Sequence, residues 1–396
     1  MTAVLLDWLS LVLRWAHVML GIGWIGTSFF FIWLDTSLRK RAGQGDELAG
    51  ESWMVHGGGF YRTEKYMVAP ESLPRELHWF KYEAYYTWVT GMALLVVIYY
   101  LGANIYLIDT SKMALEPWQA ILISAASIFA GWAVYEFICR SALGAKTAPL
   151  AASIFILITL AAFGYTQVFS DRAAFIHIGI FIGTFMAFNV FVIIIPNQKK
   201  IVADLLAGNT PDPRLGKIAK QRSVHNNYLT LPLVFMMLSG HYPLVFGHGQ
   251  AWLIAMGIVI TGALIRHFYN TWEAGALDWS GKAAIPAAGL VIMSMAVLTL
   301  PKTASDKGPE IAFTQIVTIM QKHCISCHAK KPSDEDFEEA PKGITFDNPE
   351  NIVNLASLIN TQSVITNAMP LGNKSAMTVA ERKILGAWIA QGASRE

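Results

Sequence analysis

The feature that most constrains this chain is a series of long stretches that contain no Asp, Glu, Lys or Arg. Seven such stretches cover residues 15–34, 84–108, 117–135, 147–170, 173–198, 223–265 and 283–301. A helix that crosses a bilayer needs ~20 apolar residues, and the sixth stretch is roughly twice that long. Gly240, Pro243 and Gly247 lie in its middle, where they predict a turn. The sequence therefore predicts eight transmembrane helices in an all-α, polytopic membrane helix bundle.

Charge is scarce and unevenly distributed along the chain. Asp, Glu, Lys and Arg make up 15% of the 396 residues, whereas soluble domains have about 25%. The net charge of +2 argues against a nucleic-acid partner. Charged residues are denser in residues 303–396 than in residues 1–302. The sequence therefore predicts a membrane domain over residues 1–302, with the lipid bilayer as its partner, and a soluble domain over residues 303–396.

Lys and Arg are concentrated in the loops after the first, third, fifth and seventh predicted helices. Loops rich in these residues stay on the cytoplasmic side of a membrane. Because an even number of crossings returns the chain to its starting side, both termini are predicted to lie outside the cytoplasm. The expected location is a bacterial inner membrane, with the N-terminus and the C-terminal domain in the periplasm.

A Cys-x-x-Cys-His motif formed by Cys324, Cys327 and His328 lies in the predicted soluble part. Two thiols at this spacing suit covalent attachment of a haem c, and the adjacent imidazole suits ligation of its iron. Half of a zinc site is the alternative, but no second cysteine pair completes one. The second iron ligand is predicted to be Met369, with Met377 as the alternative.

Two amphipathic helices are predicted to flank this motif. An apolar stripe that includes Phe313, Ile316 and Met320 precedes the motif, and Thr378 and Glu381 form a capping box before a second apolar run. Terminal helices that close over a haem are typical of a class I cytochrome c domain. Covalent haem c is matured outside the bacterial cytoplasm, which agrees with the topology predicted from the loop charges.

Polar and ionisable residues gather at the cytoplasmic ends of the second, sixth and seventh predicted helices. Such residues are costly at membrane depth and mark functional sites. Guanidinium, imidazole, carboxylate and carboxamide groups together suit a flat, anionic, hydrogen-bonding substrate. The alternative is that they are ordinary anchors at the membrane interface. The candidate catalytic residues are Arg75, Glu76, His78, His225, Asn226, Arg266 and His267.

Three histidines, His17, His177 and His241, fall toward the outer ends of the predicted helices. If two of them face each other, they could ligate a b-type haem that relays electrons across the ~30 Å apolar layer. The alternative is that each imidazole forms hydrogen bonds between helices. Haem c is therefore the expected cofactor, and a haem b in the membrane domain is a further hypothesis.

Three segments carry a resemblance to a known family. Residues 15–31 (WAHVMLGIGWIGTSFFF), 55–62 (VHGGGFYR) and 73–83 (LPRELHWFKYE) resemble the membrane-bound bacterial urate oxidase, or urate hydroxylase, family. The predicted order of eight spans and then a cytochrome c domain is also similar. The resemblance implies oxidation of urate to 5-hydroxyisourate, with oxygen from water and no hydrogen peroxide. It also implies that electrons pass through haem c to a respiratory acceptor, such as a soluble cytochrome c or cytochrome c oxidase.

The candidate residues suggest how such a substrate is held. Arg75 or Arg266 could bind the negative charge of urate, and His78, His225 or Glu76 could act as the general base. Two other functions are open at this point. One is a different membrane respiratory dehydrogenase that oxidises quinol or porphyrinogen, and the other is an electron-transfer subunit that merely anchors a cytochrome. A single helix would suffice as an anchor, which weighs against the second.

Overall fold

The computed structural model describes residues 3–66, 73–74, 76–300 and 309–395. Helices dominate this part of the chain. The α-helices are α1 (Ala3–Ser37), α2 (Tyr82–Leu94), α3 (Pro117–Arg140), α4 (Thr147–Val168), α5 (Asp171–Phe188), α6 (Ile195–Leu206), α7 (Pro213–Ser239), α8 (Pro243–Phe246), α9 (Ala251–Glu273), α10 (Trp279–Leu298), α11 (Phe313–His323), α12 (Pro349–Asn354), α13 (Ala356–Ile359) and α14 (Val379–Ala390).

Six helical segments in these described ranges are long and apolar enough to cross a membrane. They correspond to the first, third, fourth, fifth, seventh and eighth predicted helices. The fifth combines α5 and α6, which are joined by a π-helical turn, Asn189–Ile194. The chain is therefore a membrane-embedded helix bundle.

The two other predicted crossings are also helical, but neither is a long apolar α-helix. In the second, α2 ends at Leu94 and continues as two π-helical turns, Leu95–Tyr100 and Ala103–Leu107. In the sixth, α7 begins with a polar and basic segment before its apolar half. Because these features interrupt or dilute the apolar run, the count of eight crossings stays a prediction.

A β-hairpin follows α1, an element that the prediction of an all-α chain did not include. Strand β1 (Leu48–His56) pairs antiparallel with β2 (Gly59–Tyr66). Gly57 and Gly58 form the two-residue turn with φ of +58° and +79°. Two positive φ values in succession are typical of a type I′ hairpin turn, and glycine adopts them without strain. The Gly-Gly pair was thus a local signal for a hairpin.

Helix α5 lies at the centre of the membrane domain. Its apolar side chains are almost entirely buried, among them Phe175, Ile178 and Ile182, and it packs on α2, α3, α4 and α7. A helix that is apolar on all sides requires neighbours all round. Polar groups on α5 and on the faces that surround it are therefore buried, and they must find partners inside the bundle.

Residues 309–395 form a second set of helices with an apolar core of their own. In this core, α11 contributes Ile316 and α14 contributes Trp388. Helix α14 begins with the predicted capping box, in which Glu381 N–H donates to Thr378 Oγ1 and Thr378 N–H donates to the Glu381 carboxylate. The predicted start of this helix is confirmed.

The C-terminal helices contact the membrane bundle through residues 366–372. The backbone N–H of Asn367 donates to the carbonyl oxygen of Gly247 at 3.2 Å. Gly372 lies so close to Ile108 that a β-carbon on it would be 2.8 Å from the Ile108 carbonyl oxygen. Gly247 and Ile108 lie in the loops after the sixth and second predicted helices, opposite the loops rich in Lys and Arg. The C-terminal helices therefore pack on the face away from the basic loops.

Candidate functional site

Three consecutive polar residues of α7 face three different neighbouring helices. His225 contacts Tyr135 of α3, Asn226 contacts Asn189 at the end of α5, and Asn227 contacts residues of α9. Consecutive residues of an α-helix project about 100° apart. The structure therefore divides the candidate residues at this end of the bundle into separate groups.

The His225 group consists of Tyr135, Asn189, His225 and Asn226. Tyr135 Oη lies 2.7 Å from His225 Nδ1 and accepts a hydrogen bond from Asn189 Nδ2 at 2.9 Å. The same Asn189 nitrogen donates to Asn226 Oδ1 at 2.9 Å, and Asn226 Nδ2 donates to the Met186 carbonyl oxygen at 3.0 Å. The phenol and both amides are thus paired within the protein.

An ion pair lies beside the His225 group. Arg222 Nη2 is 2.8 Å from Glu136 Oε2, and Arg222 is only 2% exposed. The guanidinium carbon of Arg222 lies 5.2 Å from the centre of the Tyr135 ring. Glu136 also accepts a hydrogen bond from Arg140 Nε, so one carboxylate lies between two guanidinium groups. Arg222 thus has a carboxylate partner, which Arg266 lacks, although its Nε and Nη1 are buried without a hydrogen-bond partner among the described residues.

The Arg266 group consists of Phe29, Asn227, Arg266 and Asn270, from helices α1, α7 and α9. Arg266 Nη2 donates to Asn270 Oδ1 at 2.9 Å, and Arg266 Nε lies 3.5 Å from Asn227 Oδ1. Asn270 Nδ2 donates to that same Asn227 oxygen at 2.8 Å. The guanidinium carbon lies 4.2 Å from the centre of the Phe29 ring. The group thus combines a cation, two amides and an aromatic face.

This group leaves charge and hydrogen-bonding capacity unused. Arg266 is 5% exposed and forms no ion pair with a carboxylate in the ranges that the structure describes. Within the same ranges, Asn227 Nδ2 is buried without a hydrogen-bond partner. An unpaired buried cation and an unpartnered amide N–H both cost free energy. An anion with hydrogen-bond acceptors would satisfy both groups at once.

A carboxylate follows on the same face of α9. Arg266, Asn270 and Glu273 are spaced by four and three residues, so they share one side of the helix. Glu273 Oε2 is buried, and no described residue forms a hydrogen bond to it. Such an oxygen could accept an N–H from a ligand held by Arg266, or it could take up a proton.

His267, a predicted catalytic residue, lies on another face of α9. Its Nδ1 lies 3.0 Å from Tyr228 Oη, and its Nε2 lies 3.0 Å from Ser280 Oγ. Both ring nitrogens therefore have partners within the protein. The structure brings Arg266 together with Asn227 and Asn270, but it does not bring His267 into that group.

The three remaining candidates at this end precede α2. Glu76 and His78 are both exposed and lie in an irregular segment. The His78 ring packs edge-on against Phe80, with ring centres 4.5 Å apart. Arg75 lies outside the described residues. The described contacts do not connect Glu76 or His78 with either buried group.

The three outer histidines have different surroundings. His17 Nδ1 lies 3.0 Å from the carbonyl oxygen of Thr87 on α2. His177 is fully buried, with Nε2 2.7 Å from Ser124 Oγ and Nδ1 2.8 Å from a backbone carbonyl oxygen of its own helix. His241 is exposed in the turn after α7. For His17 and His177 these contacts match the interhelical alternative, and the haem b hypothesis stays a prediction.

The Cys-x-x-Cys-His motif follows α11 and packs against the C-terminal apolar core. His328 Nδ1 lies 2.9 Å from the carbonyl oxygen of Ile344, which orients the ring and leaves Nε2 for a metal. Burial, together with the neighbouring Cys327 thiol, raises the pKa of the Cys324 thiol to about 12. Two thiols, a preoriented imidazole and an apolar core are a donor set that fits covalent haem c.

The two candidate methionines differ in burial. Met377 is 3% exposed and belongs to the C-terminal core, whereas the Met369 side chain is half-buried. The Met369 backbone is held at both ends, because its N–H donates to Gln362 at 2.9 Å and its carbonyl accepts from Arg382 at 2.7 Å. The choice of Met369 as the iron ligand stays a prediction.

Sequence reasoning placed Asn227, Asn270 and Glu273 in the polar cluster at the cytoplasmic helix ends but did not select them as candidate catalytic residues, and it did not single out Phe29. The spacing of Arg266, Asn270 and Glu273 was a usable signal, because it predicts one helical face and excludes His267 from it. Contact of that face with α1 and α7 depends on how distant helices pack. A single sequence carries no direct signal for such packing.

Residues 3–300 match the family model described as urate oxidase N-terminal. This range contains every helix from α1 to α10 and therefore both polar groups beside α7. No curated protein and no solved structure matches the chain. The chain belongs to the urate oxidase N-terminal family.

Proposed function

We propose that this protein is a membrane-bound urate oxidase that converts urate to 5-hydroxyisourate and passes the electrons to a haem c in its C-terminal domain. The family match over residues 3–300 carries the proposal, because it joins urate-related oxidation to a bundle of membrane-spanning helices. The Cys-x-x-Cys-His motif supports the electron acceptor, since this motif is typical of covalent haem attachment.

The proposed reaction balances without molecular oxygen. One urate monoanion and one water molecule give 5-hydroxyisourate, one proton and two electrons. The new hydroxyl oxygen comes from water, and the electrons leave through the protein, so no hydrogen peroxide forms. Bound haem c supplies a one-electron acceptor whose potential is raised by His/Met ligation. The two electrons of each urate therefore leave in succession.

We assign the substrate site to the Arg266 group. Urate is a flat anion with several carbonyl and N–H groups. Arg266 supplies a positive charge and a planar set of donors, Asn227 Nδ2 adds a donor without a partner, and Phe29 offers a flat apolar face. Buried surroundings strengthen such interactions because water does not screen them. This assignment keeps Arg266 from the sequence predictions and adds residues from α1 and α7.

We assign proton uptake to Glu273. Attack of water on an oxidised purine ring releases a proton, and a carboxylate on the same helical face as Arg266 can accept it. His225, a base predicted from the sequence, already has Tyr135 Oη 2.7 Å from its Nδ1. We therefore give the His225 group a structural role, in which its hydrogen bonds fix the packing of α3, α5 and α7.

The C-terminal domain would collect the electrons. Cys324 and Cys327 would hold haem c through thioether bonds, with His328 and Met369 as the iron ligands. This domain packs on the face of the bundle opposite the basic loops, which supports a periplasmic position in a bacterial inner membrane. From that side, a soluble cytochrome c or a cytochrome c oxidase could take the electrons onward.

The requirement for molecular oxygen tests the proposed function. Full-length protein in detergent is supplied with urate and an oxidised soluble cytochrome c under argon, in isotopically labelled water. We expect labelled 5-hydroxyisourate and no hydrogen peroxide above a protein-free control. Product that forms only in the presence of oxygen, together with peroxide, would contradict the proposal. Cytochrome reduction by a quinol but not by urate would instead indicate another respiratory dehydrogenase.

A further inference from the structure

Arg382 is a buried cation in α14 that holds a long connecting segment in place. It is 8% exposed and forms no ion pair with a carboxylate of the described residues. Its Nη1 donates to the carbonyl oxygens of Ser363 at 2.6 Å and Met369 at 2.7 Å. Its Nη2 lies 3.4 Å from Asn373 Oδ1. One guanidinium group thus contacts the beginning, the middle and the end of segment 363–373.

The same segment forms the contact with the membrane bundle. The Asn367 N–H bonds to Gly247, and Ala368 packs against the core of the bundle. Gly372, with φ of +59°, lies against the carbonyl oxygen of Ile108, where a side chain would collide. The predicted iron ligand Met369 lies between these contacts. The structure therefore builds the docking contact and the candidate ligand into one short segment.

Two carboxylates of the bundle lie near this contact. Asp109 lies in the loop after the second predicted helix, and Asp171 begins α5, where Lys112 pairs with it. Asp109 directly follows Ile108, against which Gly372 packs, so the docking segment meets an acidic loop of the bundle.

We propose that Arg382 is a positioning residue that couples docking of the C-terminal domain on the membrane bundle to the placement of Met369. The guanidinium group holds the Met369 carbonyl, and the same segment is held on the bundle by Asn367 and Gly372. Undocking removes the contacts of Asn367 and Gly372 and loosens the segment, so iron ligation and docking change together. The inference rests on the proposed function only in taking Met369 as an iron ligand.

The test uses full-length protein with two substitutions of Arg382 and one matched control. Arg382→Gln removes the charge, and Lys383→Gln removes the exposed neighbouring cation. Arg382→Lys keeps the charge, but its side chain is one bond shorter than that of arginine and lacks the second nitrogen, Nη2, that reaches Asn373. The readouts are the weak long-wavelength absorption band of methionine-ligated ferric haem c and the reduction potential, both measured without urate. Covalent haem content is measured after denaturation.

In Arg382→Gln we expect normal haem content, loss of the methionine band and a lower potential, because methionine ligation raises it. Urate-driven haem reduction should slow by about tenfold or more, a typical result of removing a group that orients a metal ligand. Arg382→Lys should weaken the band partly, and Lys383→Gln should match the wild type. A wild-type band and potential in Arg382→Gln would overturn the inference.

If Arg382→Gln fails to assemble, the Arg382→Lys variant tests the inference. A wild-type band and potential in that variant would overturn the inference, whereas a weakened band with normal haem content supports it. These readouts involve no urate. A wild-type protein that retains its methionine band but is not reduced by urate would therefore contradict the proposed function and leave this inference standing.

Discussion

Two polar groups lie on different sides of α7 and differ in how completely their members are paired. In the His225 group, the Tyr135 phenol and both amides bond to one another or to backbone. In the Arg266 group, a buried cation lacks an ion pair and the Asn227 amide nitrogen lacks a partner within the described chain. Hydrogen bonds among the phenol and the amides fix packing, whereas a buried cation without a carboxylate, next to an unused amide donor, indicates a ligand site. Neighbours in sequence therefore need not share a role.

Substitution of Arg266 should have the largest effect on urate oxidation. Arg266→Gln removes the charge that holds the urate anion, so kcat/KM should fall about a hundredfold, or ~2.7 kcal/mol. The rate of anaerobic haem reduction by urate measures this, and covalent haem content should not change. His267→Gln is the matched control, because its neighbours are Tyr228 and Ser280. An equal loss in the control variant would place the substrate site elsewhere.

Substitutions of the adjacent residues Asn226 and Asn227 of α7 compare the two polar groups directly. Asn227→Ala should raise KM about tenfold, since it removes one hydrogen bond to a charged ligand, and it should also lower the unfolding temperature, because it deprives Asn270 and Arg266 of an acceptor. Asn226→Ala should leave KM unchanged and destabilise the fold by about 1–3 kcal/mol, because it deprives Asn189 and a backbone carbonyl of partners. Thermal unfolding and urate kinetics on both variants test this. The reverse pattern in KM would move the substrate site to the His225 side.

Removal of the Tyr135 hydroxyl tests the structural role of the His225 group. Tyr135→Phe keeps the ring but leaves His225 Nδ1 and the Asn189 amide without that partner. We expect a loss of about 1–2 kcal/mol in the free energy of unfolding and urate oxidation close to the wild type. Thermal unfolding and anaerobic haem reduction measure the two quantities. If the variant stays stable but loses turnover, the distinction between the two groups is wrong.

Glu381 accepts several hydrogen bonds, whereas Glu273 Oε2 has no partner among the described residues. Of the substitutions considered, that of Glu381 should change stability least. Hydrogen bonds from Lys322, His323 and the Thr378 backbone hold the pKa of Glu381 well below its ordinary range. Its folded pKa is lower than the unfolded value of about 4.3, so its stabilisation is complete above that pH and declines as pH falls toward the folded value.

Unfolding of the full-length protein and of Glu381→Gln over a range of pH measures this contribution. The difference in unfolding temperature should be small, because the carboxylate is near solvent, and it should shrink as the pH is lowered below about 4.3. A difference that does not depend on pH would show that the ionised carboxylate is not the source of the stabilisation.

Features that depend on local sequence could be predicted. Long stretches without charge predicted the six apolar helices, and Thr378 and Glu381 predicted the start of α14, because these signals depend on residues a few positions apart. The Gly57-Gly58 pair carried an equally local hairpin signal. The Cys-x-x-Cys-His motif is local as well, and the contact of His328 Nδ1 with the Ile344 carbonyl leaves Nε2 available for a metal.

The candidate site could be predicted only in part, because its members come from helices far apart in the sequence. Arg266 was found through its charge at membrane depth, but its contact with Phe29 joins α9 to α1 and depends on helix packing. The division between Asn226 and Asn227 depends on which neighbour each side of α7 faces. Helical spacing fixes the angle between the two side chains, but not the identity of those neighbours.

Anaerobic mixing of the oxidised full-length protein with urate tests the central claim most directly. The account predicts that the haem c absorption spectrum changes to that of the reduced form in the wild type and in His267→Gln, and stays oxidised in Arg266→Gln on the same timescale. A wild-type spectrum that stays oxidised would contradict the proposed urate oxidation. Equally fast reduction in Arg266→Gln would contradict the assignment of the substrate to the Arg266 group.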